Sequence, residues 1–223
     1  LGRPPTPDSD CDLGEAALLV PGLPYSEYVD LLDADSTWGD MYANCIAYGF
    51  RPRFIQEFGY AIFTAEVVDS LVSLLTSKKV LEAGCGTGWL AAELTKRGVD
   101  IVAADHIDYR KPPADHQQYN FRRVYQLDYH GDAVKLLPGE FDVVLIIWPN
   151  LDDSFAADVA KAMRPGQMMI YEGEGPYGAT ADDVFFEILE SEFECLKSET
   201  DALNDNHRVF SSLHDYWQVV IKK

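Results

Sequence analysis

The feature that most constrains the fold is a glycine-rich loop between an apolar strand and a helix. Lys79–Glu82 has the pattern of a short buried strand, and Trp89–Arg97 has helical spacing and ends at Gly98. The loop between them, Glu82-Ala83-Gly84-Cys85-Gly86-Thr87-Gly88, lets a ligand come close to the backbone. The N-terminus of the following helix points unpaired N–H groups at such a ligand. This arrangement predicts an α/β domain that binds a ligand at the carboxyl end of its first strand.

Helices and strands are predicted to alternate from Thr64 onward. Thr64 is the predicted cap of a helix whose apolar face consists of Val67, Val68, Leu71, Leu74 and Leu75. Thr180 is the predicted cap of a second helix, over Ala181–Glu192. The predicted strands are Asp100–Ala104, Arg123–Leu127, Phe141–Ile147, Gln167–Tyr171, Phe193–Lys197 and Trp217–Lys222, and a further helix is predicted over Phe155–Met163. Alternation of this kind predicts a doubly wound sheet.

The loop differs from the fingerprint of dinucleotide-binding proteins. That fingerprint is GxGxxG, whereas here the loop reads GxGxG and Trp89 occupies the sixth position. The large Trp89 side chain would obstruct the close helix–strand packing that a glycine permits at that position. Glu82, two residues before the first glycine, suits a ligand with an ammonium and a sulfonium better than one with a pyrophosphate. Asp105, at the end of the second predicted strand, can accept hydrogen bonds from both hydroxyls of a ribose.

The segment from Glu82 to Asp105 resembles motif I of the class I S-adenosylmethionine (SAM)-dependent methyltransferases. The resemblance implies a Rossmann-like, seven-stranded, mostly parallel sheet that binds SAM and releases S-adenosyl-L-homocysteine (SAH). It also implies a role in cofactor binding for Glu82, Gly84, Cys85, Gly86, Asp105, His106, Asp128 and Tyr129. In this scheme Glu82 faces the amino group of SAM, Asp105 the ribose and Asp128 the adenine amino group. The alternative for Asp128 is that it caps the residues after it.

A first candidate for the acceptor site is the end of the fourth strand, where Trp148-Pro149-Asn150 partly matches the Asn/Asp-Pro-Pro-Tyr/Phe signature of methyltransferases acting on amino groups. Trp148 is therefore a candidate catalytic residue, although it could instead cap the sheet. Glu172 and Glu174 follow the fifth strand in a glycine-rich loop, and either of them could bind a cationic acceptor or take its proton. That loop could also be a plain solvated turn. His214, beside Asp215, is a third candidate base.

The N-terminal part of the chain is a predicted extension. We assign residues 1–63 to this extension and residues 64–223 to the SAM-binding domain. The extension is rich in aromatic residues between positions 38 and 60, which indicates a helical and aromatic lid over the cofactor. Tyr60 is the predicted contact between the lid and the cofactor.

Charge and cysteine content narrow the function classes. The 223-residue chain has a formal net charge of −19 and no basic run, so direct binding of a nucleic acid or of an anionic membrane is not expected. A small-molecule or basic-protein acceptor fits the charge better. The four cysteines have no metal-ligand spacing, so no metal is expected, and reduced thiols indicate a cytoplasmic protein. The sequence leaves the oligomeric state open.

The sequence as a whole predicts a SAM-dependent methyltransferase that transfers a methyl group to an N or O atom. The combination of the glycine loop, Trp148-Pro149, the YxGEG loop and the terminal His214-Asp215 also resembles a methyltransferase-like group without a settled acceptor. An alternative is a catalytically weak or inactive binding subunit for a basic partner. A nicotinamide-dependent oxidoreductase is a further alternative.

Overall fold

Seven strands form one sheet in a computed structural model that describes residues 20–27, 51, 54–56, 58–111, 121, 123–210 and 213–223. The strands are β1 (Lys79–Ala83), β2 (Asp100–Asp105), β3 (Tyr129–His130), β4 (Val143–Ile147), β5 (Met168–Gly173), β6 (Phe193–Cys195) and β7 (Tyr216–Lys222). Their order across the sheet is β3-β2-β1-β4-β5-β7-β6, and only β7 runs antiparallel to its neighbours. The predicted doubly wound, seven-stranded, mostly parallel sheet is therefore confirmed.

Five α-helices cover the two faces of this sheet within the described ranges. They are α1 (Ala65–Leu75), α2 (Trp89–Lys96), α3 (Phe155–Ala162), α4 (Asp183–Glu192) and α5 (Lys197–Asn204), and a short 3-10 helix spans Ala133–Leu136. Buried residues of α1, α2 and α5 share one apolar cluster, and those of α3 and α4 share the other. The faces differ because side chains alternate along each strand: Val143 and Leu145 join the first cluster, Val144 and Ile146 the second.

The first helix begins where the sequence predicts. The hydroxyl of Thr64 accepts a hydrogen bond from the Val67 N–H at 3.0 Å, and the predicted apolar face of α1 is buried except for Leu74, which is half-buried. The segment before it lies along the same helix. The Gly22 N–H donates to the Phe63 carbonyl at 2.6 Å, and the Ala65 N–H donates to the Leu23 carbonyl at 2.7 Å. Residues 20–27 therefore pack onto the domain.

Two predicted elements differ from the structure. The stretch Arg123–Leu127 is not a strand, and β3 is instead the two-residue segment Tyr129–His130. The cap of α4 is Asp182, which accepts from the Phe185 N–H at 2.8 Å. The prediction that Thr180 caps this helix is wrong, because the Thr180 hydroxyl is hydrogen-bonded to the buried Tyr171 hydroxyl at 2.7 Å. A helical cap needs the side chain immediately before the first turn, and Asp182 occupies that position.

Side chains of α5 cover the outer edge of β7 where β6 does not reach. The Asn204 amide donates to the Trp217 carbonyl at 2.8 Å and accepts from the Trp217 N–H at 2.9 Å. The Thr200 hydroxyl accepts from the Val219 N–H at 3.0 Å. The helix α5 was not predicted, because its mostly polar sequence carries a weak apolar pattern. No helix in the described ranges combines the length and apolarity required to cross a bilayer.

Candidate functional site

The glycine loop forms the floor of a cavity of about 430 Å³ at the carboxyl ends of β1, β2 and β4. Gly84 and Gly86 have φ angles of +74° and +55°, a left-handed conformation that other residues rarely adopt. A Cβ atom at Gly84 would also lie 3.0 Å from the ring of Phe155. The helix α2 begins after Gly88; the Thr87 hydroxyl accepts from the Trp89 N–H at 3.4 Å, and the Glu82 carboxyl accepts from the Ala91 N–H. The backbone shape of the loop therefore suits a ligand.

Glu82 contributes a buried carboxyl group to this cavity. The residue is 3% exposed, and its Oε2 atom has no hydrogen-bond partner. Burial raises the pKa of Glu82 from 4.5 to about 8, since the opposing hydrogen bond from the Ala91 N–H is weaker than the loss of hydration. A cationic group brought into the cavity would satisfy this carboxyl. This unsatisfied atom is the observation that best fits the ammonium group of SAM.

Asp105 links the loop to the end of β2. Its Oδ2 accepts from the Gly86 N–H at 2.9 Å, and its Oδ1 accepts from the Ile107 N–H at 2.9 Å. Burial raises the pKa of Asp105, and these two backbone bonds oppose the shift. Each carboxylate oxygen can accept a second hydrogen bond, so both remain able to bind ribose hydroxyls. The neighbouring His106 also lines the cavity, with its Nδ1 3.5 Å from Asp105 Oδ1.

Cys85 lies in the loop as predicted and is 8% exposed. Burial and the nearby Glu82 and Asp105 carboxyl groups raise the pKa of this thiol well above its usual value. The thiol is therefore held in its protonated, unreactive form. Its contribution is a small side chain that lets the loop turn.

Asp128 and Tyr129 are not among the described residues that line the cavity, and their contact with adenine stays a prediction. The Oδ2 atom of Asp128 accepts from the Ala103 N–H at 2.8 Å and so ties the loop to β2. Tyr129 packs against the apolar cluster beneath α3 and α4, because the short strand β3 turns its side chain that way. The predicted cap role of Asp128 is not seen either.

Asp132 is the acidic residue after β3 that the structure places at the cavity. It lines the cavity beside Gly131 and Ala133, and the Gly131 N–H donates to the Asp105 carbonyl at 2.9 Å. Asp132 Oδ1 caps the 3-10 helix through the Val134 N–H at 3.0 Å. Ala133, the first residue of that helix, has an N–H without an internal helical partner. A Gly-Asp pair followed by a helical turn was the sequence signal that could have identified this site.

The opposite end of the cavity is aromatic. Tyr60 stacks on Trp148 with ring centroids 5.6 Å apart and an angle of 17° between the planes. Trp148 has a φ of +47°, an unusual conformation for a bulky residue, and its N–H donates to the Glu172 carbonyl at 2.8 Å. Pro149 and Asn150 continue this wall. The structure thus brings Tyr60 and Trp148 together; the rest of the predicted lid lies mostly outside the described residues.

Glu172 and His214 are not among the described residues that line the cavity, and their catalytic roles stay predictions. Glu172 is fully buried because, as a residue of β5, it points into the layer between the sheet and the helices. His214 is exposed, and its backbone N–H donates to Glu174 Oε1 at 2.8 Å. Glu174 also accepts from the Ala179 N–H at 2.6 Å. Glu174 therefore fastens two loops and is not a solvated acid.

Comparisons with known proteins return methyltransferases. No model of a protein family matches the chain. Magnesium-protoporphyrin O-methyltransferase from Rhodobacter capsulatus is 35% identical over 88 residues, which is 36% of this chain and 36% of that protein. An uncharacterized methyltransferase from Mycobacterium tuberculosis is 30% identical over 113 residues, which is 49% of this chain and 45% of that protein. The chain thus spans less than half the length of these relatives.

Among solved structures, the SAM-bound magnesium protoporphyrin IX methyltransferase from Synechocystis PCC 6803 overlaps with a TM-score of 0.44 and 16% identity. The overlap covers 92% of this chain and all of that one. The sequence relatives and the structural neighbour named here are all methyltransferases.

Proposed function

We propose that the chain is a class I methyltransferase and transfers a methyl group from SAM to an N or O atom of an acceptor. The observation that carries this proposal is that a single cavity contains the glycine loop, the unpartnered oxygen of Glu82 and the carboxylate of Asp105. SAM supplies a methyl group on a sulfonium, which is a good leaving group. The residues of the chain then have to bind, align and exclude water.

The cavity residues divide into three groups that match the parts of SAM. Glu82 is placed to pair with the ammonium of the methionine part, and Asp105 is placed to accept from the ribose. We assign the adenine amino group to Asp132, whose Oδ2 is available to accept a hydrogen bond, with His106 packing at the same end. Tyr60 and Trp148 lie at the far end, where the acceptor would enter.

Isothermal titration with SAH tests the first step. We expect binding to the wild-type protein, and an Asp105→Ala change should weaken it at least about tenfold, since one or two charge-assisted hydrogen bonds are lost. Asp108→Ala is the matched control, because Asp108 is a nearby carboxylate that pairs with Arg110 outside the cavity. No binding to the wild type at roughly millimolar SAH, about the weakest affinity titration resolves, would sink the proposal, and binding of NADH in its place would favour an oxidoreductase.

For the acceptor, we infer a small molecule or a basic protein segment. The net charge of −19 disfavours an acceptor that carries phosphates, and the Tyr60–Trp148 stack offers flat apolar surface beside the cofactor end. The test is activity profiling of a cell extract with methyl-labelled SAM. Labelling confined to nucleic acid would contradict the inference.

A second candidate is a binding subunit with little or no activity. The observation that favours it is that two of the three predicted catalytic residues, Glu172 and His214, lie away from the cavity. An affinity purification tests it: a stoichiometric basic partner, together with no methyl transfer to any fraction, would favour the subunit. Transfer by the isolated chain would exclude it.

A further inference from the structure

Behind the aromatic wall of the cavity lies a second polar group of side chains, Glu172, His207 and Asp215. One ligand-type atom of each lies within 4.8 Å of the others. Their side chains are 0%, 5% and 3% exposed, respectively. His207 Nε2 is 3.3 Å from Asp215 Oδ2 and 3.7 Å from Glu172 Oε1. Two carboxyl groups this deeply buried require either a cation or a shared proton, because an isolated buried charge is costly.

The tautomer of His207 decides between these two. The indole N–H of Trp217 donates to His207 Nδ1 at 3.0 Å, so that nitrogen carries a lone pair. A neutral imidazole with a lone pair on Nδ1 carries its proton on Nε2. A metal ion facing the carboxylates would need the lone pair on Nε2, and the Nδ1 proton would then oppose the Trp217 N–H. The Trp217 contact therefore favours a shared proton.

A single proton on Glu172 meets the hydrogen-bonding requirements of Glu172, His207 and Asp215 together. His207 Nε2–H donates to Asp215, so Asp215 is the ionised carboxylate. Burial alone would raise the pKa of Asp215, but the hydrogen bonds from His207 and Glu172 lower it. Burial and the charge of Asp215 raise the pKa of Glu172 well above its usual value. Glu172 then has an O–H to donate to Asp215 and a carbonyl oxygen that faces Trp148.

Trp148 is the remaining member of this chain of contacts. Its indole Nε1 and both Glu172 oxygens are buried without a hydrogen-bond partner, so pairing of these two side chains would satisfy both. The backbone of Trp148 is already held to Glu172 by an N–H···O bond of 2.8 Å. A left-handed conformation at a bulky residue persists only where its surroundings fix it.

We propose that Glu172 is a positioning residue: its carboxylic acid donates to Asp215, accepts the indole N–H of Trp148, and so fixes Trp148 at the end of the cavity. The value of that position for catalysis rests on the proposed methyltransferase function, but the contact itself does not. The neutral acid is essential to this role, because a second buried carboxylate beside Asp215 would repel it.

Nuclear magnetic resonance of protein labelled with ¹⁵N at the tryptophan indoles tests the contact. Trp148→Phe assigns the relevant signal. Glu172→Gln keeps a carbonyl acceptor and an N–H donor, and should leave the Trp148 signal near its wild-type position. Glu172→Leu keeps the size but removes both, and should shift the signal and speed its solvent exchange at least tenfold. Glu174→Gln is the control, because this buried carboxyl two residues away binds only loops.

Three outcomes would overturn the proposal. The first is a Trp148 signal that is the same in wild type and in folded Glu172→Leu. The second, which needs no variant of Glu172, is fast solvent exchange of the Trp148 indole in the wild-type protein. The third is stoichiometric binding of Zn²⁺ or Mn²⁺, added alone, that Glu172→Gln abolishes. All three are read without an acceptor, so failure of the proposed methyl transfer would leave them interpretable.

Discussion

Replacing Glu82 by glutamine should make the ligand-free protein more stable, and increasingly so as the pH rises. Glu82 is 3% exposed, and its pKa in the folded protein is about 8 against an ordinary value of 4.5. The folded state therefore keeps a proton that the unfolded state loses. Stability is lost as the pH rises from 4.5 towards 8, and it is level above that. Glutamine has the same size and cannot ionise, so it removes this loss.

The magnitude follows from linkage. At about 1.36 kcal/mol for each pH unit, the full shift is worth roughly 5 kcal/mol. Between pH 5 and pH 9 the difference in unfolding free energy between Glu82→Gln and wild type should grow by about 4 kcal/mol, because the unfolded group is already partly ionised at pH 5. Other carboxyl groups titrate in both proteins, so their contributions cancel in the difference.

Urea unfolding of both proteins at pH 5, 7 and 9, without SAH, measures this difference. Glu190→Gln is the control: Glu190 is exposed on α4, and its replacement should change stability by less than about 0.5 kcal/mol at every pH. A Glu82→Gln effect of the same size at pH 5 and pH 9 would refute the reasoning. It would mean that the folded protein binds no extra proton at Glu82.

Three other predictions concern the cavity. Affinity for SAH should rise with pH below 8, by at most about tenfold per unit, because Glu82 must release its proton to solvent before it can pair with the ammonium. Glu82→Gln should flatten this pH profile in a titration series. Asp132→Ala should weaken SAH binding about tenfold, whereas Asp128→Asn should lower the melting temperature more than the affinity; the reverse pattern would restore the sequence interpretation. Tyr60→Ala should change the fluorescence of Trp148, which is obtained by subtracting the spectrum of Trp148→Phe. An unchanged Trp148 spectrum would contradict the stack of Tyr60 on Trp148.

The sequence predicted the fold because its strongest signals are local. The spacing of Val67, Leu71 and Leu75 and the apolar run of β4 need no knowledge of distant contacts, and both were confirmed. The glycine loop likewise encodes its own backbone shape through Gly84 and Gly86. Each of these features is determined within a few residues of chain.

The errors lie where long-range contacts decide. Asp128 and Asp132 are four residues apart, and only the pairing of β3 with β2 determines which one faces the cavity. Glu172 looked like a loop acid, but β5 extends one residue past it, to Gly173, and buries it. His207, which lies eight residues before Asp215, reaches Asp215 because Asn204 and His207 are both hydrogen-bonded to Trp217 of β7. No local pattern contains that information.

The amide of Asn204 has a consequence for association between copies of the chain. A sheet that ends in a three-residue strand leaves most of its last long strand, β7, open to another polypeptide. At this edge of β7, the Asn204 side chain forms the hydrogen bonds that a neighbouring strand would form, since it both donates to and accepts from the backbone of Trp217. A foreign strand would have to displace this amide before it could add to β7. Asn204, together with Thr200 at Val219, thus hinders polymerisation of the chain through backbone pairing at β7.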